Sequence, residues 1–273
     1  MSLWQHITLG QYVPGNSPLH RLDPRAKLIS GVLVLTGLLA IESWTVLLAW
    51  SIALGTIAWF SDLRLDLLLR NLRGFFWLLA LTMALHAFTA DAAGPQVTLW
   101  GISISWRGAV TGALYALRLA LFIWAAALAT MTTTPTDFAD SLERLLQPLV
   151  RVRVPVHELA FIMALALRFV PTIAQEALRI QRAQFSRGAP ERGSLLHQLR
   201  QLVPMVVPLF IATFHRADDL ALAMEARGYR GQAWRSRYRE FQYAARDIWV
   251  IGGCGVAAFA TWYFETFGAH AHL

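Results

Sequence analysis

The sequence predicts an all-α polytopic membrane protein with about five transmembrane helices and a cytoplasmic region of three amphipathic helices. Composition carries the first part of that expectation. Of 273 residues, 56% are hydrophobic and only 15% are charged, and mean hydropathy is +0.45; a soluble domain is rarely so apolar. Charge placement carries the second. There are 23 arginines and one lysine, Lys27, and sixteen of the arginines fall between Pro135 and Arg246.

A helical span needs roughly 20 mostly apolar residues. Five stretches qualify: residues 28–41, 44–60, 74–89, 108–131 and 248–267, the first and third borrowing flanking residues. Asp23-Pro24 has the chemistry of a helix start, an aspartate cap before a proline at the first helical position. Glu42-Ser43 marks a tight turn into the second span.

Basic residues stay preferentially on the cytoplasmic side. Arg21, Arg25 and Lys27 precede the first span, and Arg64, Arg70 and Arg73 lie in the second connection. The Glu42-Ser43 turn and the loop at residues 91–106 carry no basic residue. The N-terminus is therefore expected inside, residues 132–246 inside, and the C-terminal tail outside. The organisation expected is a four-span domain at 1–131, a cytoplasmic region at 132–246 and a last span with its tail at 247–273.

Within the cytoplasmic region, Thr134-Pro135 opens a helix with Asp137 and Asp140 in its first turns and leucines at 142, 145, 146 and 149. A second helix is expected from His157 to Arg187 and a third from Ser194 to Arg227. Both contain apolar runs. Pro204 and Pro208 interrupt the run at 202–214, and Arg168 and Pro171 lie in the run at 159–174. Were both runs to cross, Arg179, Arg182, Arg187, Arg192 and Arg200 would lie outside, against the charge rule. Long helices lying partly embedded at the cytoplasmic interface fit better.

Each of these two helices closes on an arginine and a glycine: Ser186-Arg187-Gly188 and Ala226-Arg227-Gly228. Arginine and glycine are ordinary helix-end residues. Two such ends on adjacent amphipathic helices nevertheless describe a pair of aimed cations suited to gripping an acidic partner.

Three stretches give the chain its family resemblance: the segment from Tyr12 through Pro14, Asn16, His20 and Asp23-Pro24 to Lys27; Leu167-Arg168-Phe169-Val170-Pro171 leading into Ser186-Arg187-Gly188; and Asp218-Asp219 leading into Ala226-Arg227-Gly228-Tyr229. In these it resembles the transmembrane T component (EcfT-like) of energy-coupling-factor ABC importers, over nearly its whole length. The resemblance implies an energy-coupling subunit of the bacterial inner membrane. Two Ala-Arg-Gly-like motifs, here Ser186, Arg187, Gly188 and Ala226, Arg227, Gly228, would end two crossed coupling helices and dock on two ABC ATPase subunits, identical or different. A membrane-embedded S component would bind the substrate, a vitamin or metal ion. Serine at 186 departs from the usual alanine and remains small.

The residues exclude several chemistries. There is no phosphate-binding G-x-x-x-x-G-K-[ST] loop, so ATP hydrolysis is expected in partner chains and this chain is expected to be no enzyme. Gly252, Gly253 and Gly255, like the Gly108/Gly112 pair, read as helix-packing glycines. His86 reads as an interfacial hydrogen-bonding group, His157-Glu158 as helix capping, and His270 and His272 as a solvated tail; no cofactor or metal is expected. Trp4, Trp44, Trp100, Trp106 and Trp262 fit interfacial belts. Arg168 is either functional or internally paired with Glu176 or Asp219. Met163, Met205 and Met224 are core residues or an adaptable surface for the S component. Two rival functions remain: a conventional ABC permease with its own translocation path, and an intramembrane enzyme, for which the spans show no compact polar constellation.

Overall fold

The computed structural model describes residues 15, 17–61, 65–89, 96–99, 102–152, 154–187, 195–230 and 244–268. The helices, in chain order, are α1 (Pro24–Leu39), α2 (Trp44–Phe60), α3 (Leu65–Gly74), α4 (Phe76–Thr89), α5 (Trp106–Thr132), α6 (Pro135–Leu146), α7 (Val156–Ser186), α8 (Leu195–Ala226) and α9 (Ala245–Tyr263). Among the described residues the fold is helical apart from one antiparallel hairpin, β1 (Gln96–Leu99) and β2 (Ile102–Ser105), with Gln96 opposite Ser105. The hairpin and α3 are additions to the sequence reading, which treated both segments as connections.

Packing divides the chain into two compact units, residues 10–141 with 241–273, and residues 142–240 with 1–9. In the first, Asp23 caps α1 by accepting the Arg25 N–H at 2.9 Å, and Pro24 follows as the first helical residue. Helix α1 packs against α5 and against α9, from the far end of the sequence. A side chain at Gly37 would meet Trp50 Cζ2 at 2.8 Å and Ala258 Cα at 3.2 Å, so its glycine sets the closeness of α1 and α9. At Gly112 an added Cβ would lie 2.8 Å from the Met83 carbonyl oxygen, which fixes the α4–α5 contact. Gly252 and Gly253 have nothing within 4 Å of an added Cβ. The packing role expected of these two is thus corrected: they face away from the described helices.

The core of this unit is apolar, with Leu38, Ile41, Leu47, Leu54, Leu114 and Leu121 buried. Its exterior is apolar too: Trp59, Trp77 and Trp249 are 79%, 78% and 81% exposed. A surface of that kind belongs in lipid, where a nonpolar exterior costs nothing. Helices α5, α7 and the run Ala245–Phe267 are long and apolar enough to cross a membrane, and Trp44–Phe60 and Phe76–Phe88 are shorter apolar helices. Polar tips are tied inward. Trp50 Nε1 donates to Thr261 Oγ1 at 2.9 Å, and the Ser43 N–H and hydroxyl both donate to Glu265 Oε1, at 3.0 and 2.7 Å.

In α6, Thr134 Oγ1 accepts the Asp137 N–H at 3.1 Å, the cap expected there. The helix stops at Leu146, and the chain continues as a 3₁₀ segment through Pro148, so Leu149 is not part of the α6 stripe. In the second unit, α7 and α8 pack on each other. Helix α7 begins and ends within a residue of the boundaries read from the sequence. Helix α8 runs unbroken through Pro204 and Pro208, so these prolines do not interrupt it. Each removes one N–H from the ladder while flanking turns hold the helix.

Candidate docking surface and its arginines

Helix α8 ends in a turn that aims its last residues. The Gly228 N–H donates to Glu225 O at 2.9 Å and the Tyr229 N–H to Met224 O at 2.9 Å. This reciprocal pair is a Schellman ending, which requires a left-handed residue after the helix. Gly228 supplies it with φ +75°. Tyr229 is thereby turned back onto α7, where its ring stacks on Phe161 at 5.5 Å between centroids and 21° between planes. Arg227 and Arg230 flank this anchored tyrosine, and both are exposed.

The stack bounds a cleft of ≈ 550 Å³ lined by Phe161, Leu165 and Arg168 from α7 and by Met224, Arg227 and Arg230 from the end of α8. Three arginines thus line one largely apolar hollow. Arg168 forms no ion pair among the described residues, so of its two readings the internal pairing with Glu176 or Asp219 is not found.

At the end of α7, the Arg187 N–H donates to Gln184 O at 3.1 Å, and Ser186 Oγ donates back to Arg182 O at 3.1 Å. The serine hydroxyl is satisfied on its own helix, leaving the Arg187 side chain exposed. Gly188 lies outside the described residues, as do Trp4, Trp100, His270 and His272. Ala226, in the last turn of α8, is exposed.

The three methionines separate. Met163 is 36% exposed, and Met224 is half-buried in the cleft. Met205 is 7% exposed and belongs to the interior, so it is corrected as a surface residue. The open apolar face of α8 is formed instead by Val206, Val207, Phe210 and Phe214, each more than half exposed.

His157 does not act as a helix cap. Its Nδ1 lies 2.9 Å from Glu143 Oε1, which ties the first turn of α7 to α6. His86 Nδ1 pairs with the Thr82 carbonyl of its own helix at 2.9 Å, and its ring packs 4.8 Å from Tyr115.

One charged group within the spans escaped the sequence reading. Arg118, in α5, donates from Nη1 to Leu39 O at 3.1 Å and Ile41 O at 3.0 Å, and its guanidinium lies 4.8 Å from the Tyr115 ring centroid. The guanidinium satisfies the carbonyls left over where α1 ends. An arginine inside an apolar run was the available signal, and only the fold supplied its partners.

Taken together, apolar-faced helices in one unit and two long, arginine-ended helices in the other define a polytopic membrane protein with a basic helical unit. Residues 15–238 match the family described as CbiQ, cobalt transport protein. Among similar proteins, the energy-coupling factor transporter transmembrane protein EcfT of Thermanaerovibrio acidaminovorans is 44% identical, covering 93% of this chain and 94% of the relative. The EcfT proteins of Clostridium kluyveri and Brevibacillus brevis are 39% and 42% identical, each covering 89% of this chain and 90% and 92% of the relative. The chain belongs to this family: it is an EcfT-type energy-coupling transmembrane component.

Proposed function

We propose that the protein links ATP hydrolysis by two partner ATPases to uptake of a vitamin or metal ion through a membrane-embedded S component. Arg187 and Arg227, with Ser186, Gly188, Ala226 and Gly228 around them, are the ATPase contacts. The observation that carries this reading is the Arg227-Gly228-Tyr229 ending: a guanidinium left exposed on a turn anchored to α7 by the Tyr229–Phe161 stack. A planar fork of donors suits carboxylates and helix-end carbonyls on a partner. A movement imposed on that turn is passed to α7 and α8, each roughly 45 Å long at ~1.5 Å per residue.

Met163, Met224 and the open face of α8 are the surface for the S component. Helices α7 and α8 lie at the cytoplasmic interface, the N-terminus is cytoplasmic and the C-terminus external, because that arrangement keeps the arginine-rich connections inside. The ATPase activity resides in the partners.

The test is co-purification of ATPase subunits with the tagged chain. Arg187→Ala with Arg227→Ala is expected to abolish coupled uptake and release the ATPases while the chain still inserts. Each charge-assisted contact contributes about 1.5–3 kcal/mol, so the single variants are milder. Unchanged capture and uptake in the double variant would overturn the assignment.

A further inference from the structure

We infer that the cleft between α7 and α8 binds the phosphodiester of an anionic phospholipid, held by Arg168 and Arg230. Arg168 is an exposed residue midway along a helix apolar enough to cross a membrane, on the face of that helix that carries Phe161 and Leu165. At headgroup level such a guanidinium is a ready partner for an anionic lipid. Among the described residues neither Arg168 nor Arg230 has an ion pair, and both line the same hollow.

The walls decide between an inorganic anion and an amphiphile. Phe161 and Leu165 give the cleft apolar walls, and its ≈ 550 Å³ is far larger than a phosphate ion needs. Arginines beside apolar walls match a headgroup phosphate whose acyl chain lies along those walls. A phosphodiester has two unesterified oxygens, each able to accept from one guanidinium fork. Arg168 and Arg230 suffice for these, which leaves Arg227 for the ATPase contact. The inference rests on the proposed interfacial placement of α7 and α8, which brings the cleft to headgroup level.

The full-length chain, purified in mild detergent, is titrated with phosphatidylglycerol, phosphatidylcholine and inorganic phosphate, followed by native mass spectrometry and thermal unfolding. Phosphatidylglycerol is expected to bind and stabilise, and the other two are not. Arg168→Gln with Arg230→Gln is expected to weaken phosphatidylglycerol binding about tenfold or more, as loss of charged hydrogen bonds does. ATPase capture by that variant is expected to be unchanged. If the double variant fails to purify, Arg230→Gln alone, at an exposed position beyond the helix, is expected to weaken binding, with Arg230→Lys restoring part of it. Equal phosphatidylglycerol binding by wild type and variants overturns the inference. So does equal stabilisation by inorganic phosphate, which would mark a small-anion site, or loss of ATPase capture with lipid binding intact, which would assign the cleft to a protein partner. The Arg187/Arg227 capture assay and cysteine labelling of α7 test the docking and placement readings separately, so their failure is distinguishable from failure here.

Discussion

The backbone N–H of Asp23 donates to Asp247 Oδ1 at 3.1 Å, joining residues 224 apart in the chain. Asp247 Oδ2 accepts the Ala244 N–H at 2.8 Å, so one carboxylate, 1% exposed, caps the start of α9 and holds the start of α1. Lys27 Nζ continues the tie by donating to the Thr132 carbonyl, at the end of α5, at 2.8 Å. Three helix ends are thereby joined by polar contacts at one buried point.

Asp247→Ala is expected to destabilise the protein by about 2–3 kcal/mol, because it leaves one buried and one part-buried N–H donor unmet. Asp247→Asn keeps one acceptor oxygen and is expected to lose less. Thermal unfolding in detergent reads both; an Asp247→Ala variant as stable as wild type would show the contact to be dispensable.

Gly112→Ala is expected to cost about 1–3 kcal/mol, since the new methyl meets the Met83 carbonyl, a backbone atom that cannot swing aside. Gly252→Ala places its methyl in open space and is expected to leave thermal stability unchanged or slightly raised, alanine being the better helix former. The contrast within one pair of measurements is the check.

Gly228→Ala forces a β-carbon into the left-handed region, at a cost of about 1 kcal/mol. The larger expected effect is on docking, because the turn that aims Arg227 is disturbed. Gly228→Asn, which tolerates that conformation, is expected to retain more ATPase capture than Gly228→Val. Equal capture by all three variants would show that the aim of the turn does not matter.

The proposed sidedness predicts that Ala183→Cys, in a Cys254→Ser background, resists an impermeant thiol reagent added outside intact cells and reacts after permeabilisation. Ala183 is exposed near the end of α7, so failure to label from outside is expected to report the membrane rather than burial. Ready external labelling would place α7 across the bilayer.

Much of this architecture was legible in order and length alone. The helix starts at Asp23-Pro24 and Thr134-Pro135 are local chemistry, and local chemistry survives into the fold. The same holds for the Arg227-Gly228 ending, since only a residue at ease with positive φ closes a helix in this way. Apolar runs longer than a soluble helix can bury announced the spans for the same reason: no partner but lipid is available for that much surface.

What the tertiary structure alone decided was which residues meet. Periodicity could not say that Gly37 and Gly112 are the close-packing glycines while Gly252 and Gly253 point away, because that depends on which helix lies opposite. It could not turn Met205 inward and Val206 outward, or hold α8 together through two prolines. Nor could it supply Arg118 with the carbonyls that end α1, or bring Arg168 to one cleft with Arg227 and Arg230 from just beyond α8. Most of these depend on which residues far apart in the chain come to lie opposite one another, and a single sequence records which side chains are present at those positions without recording their distances.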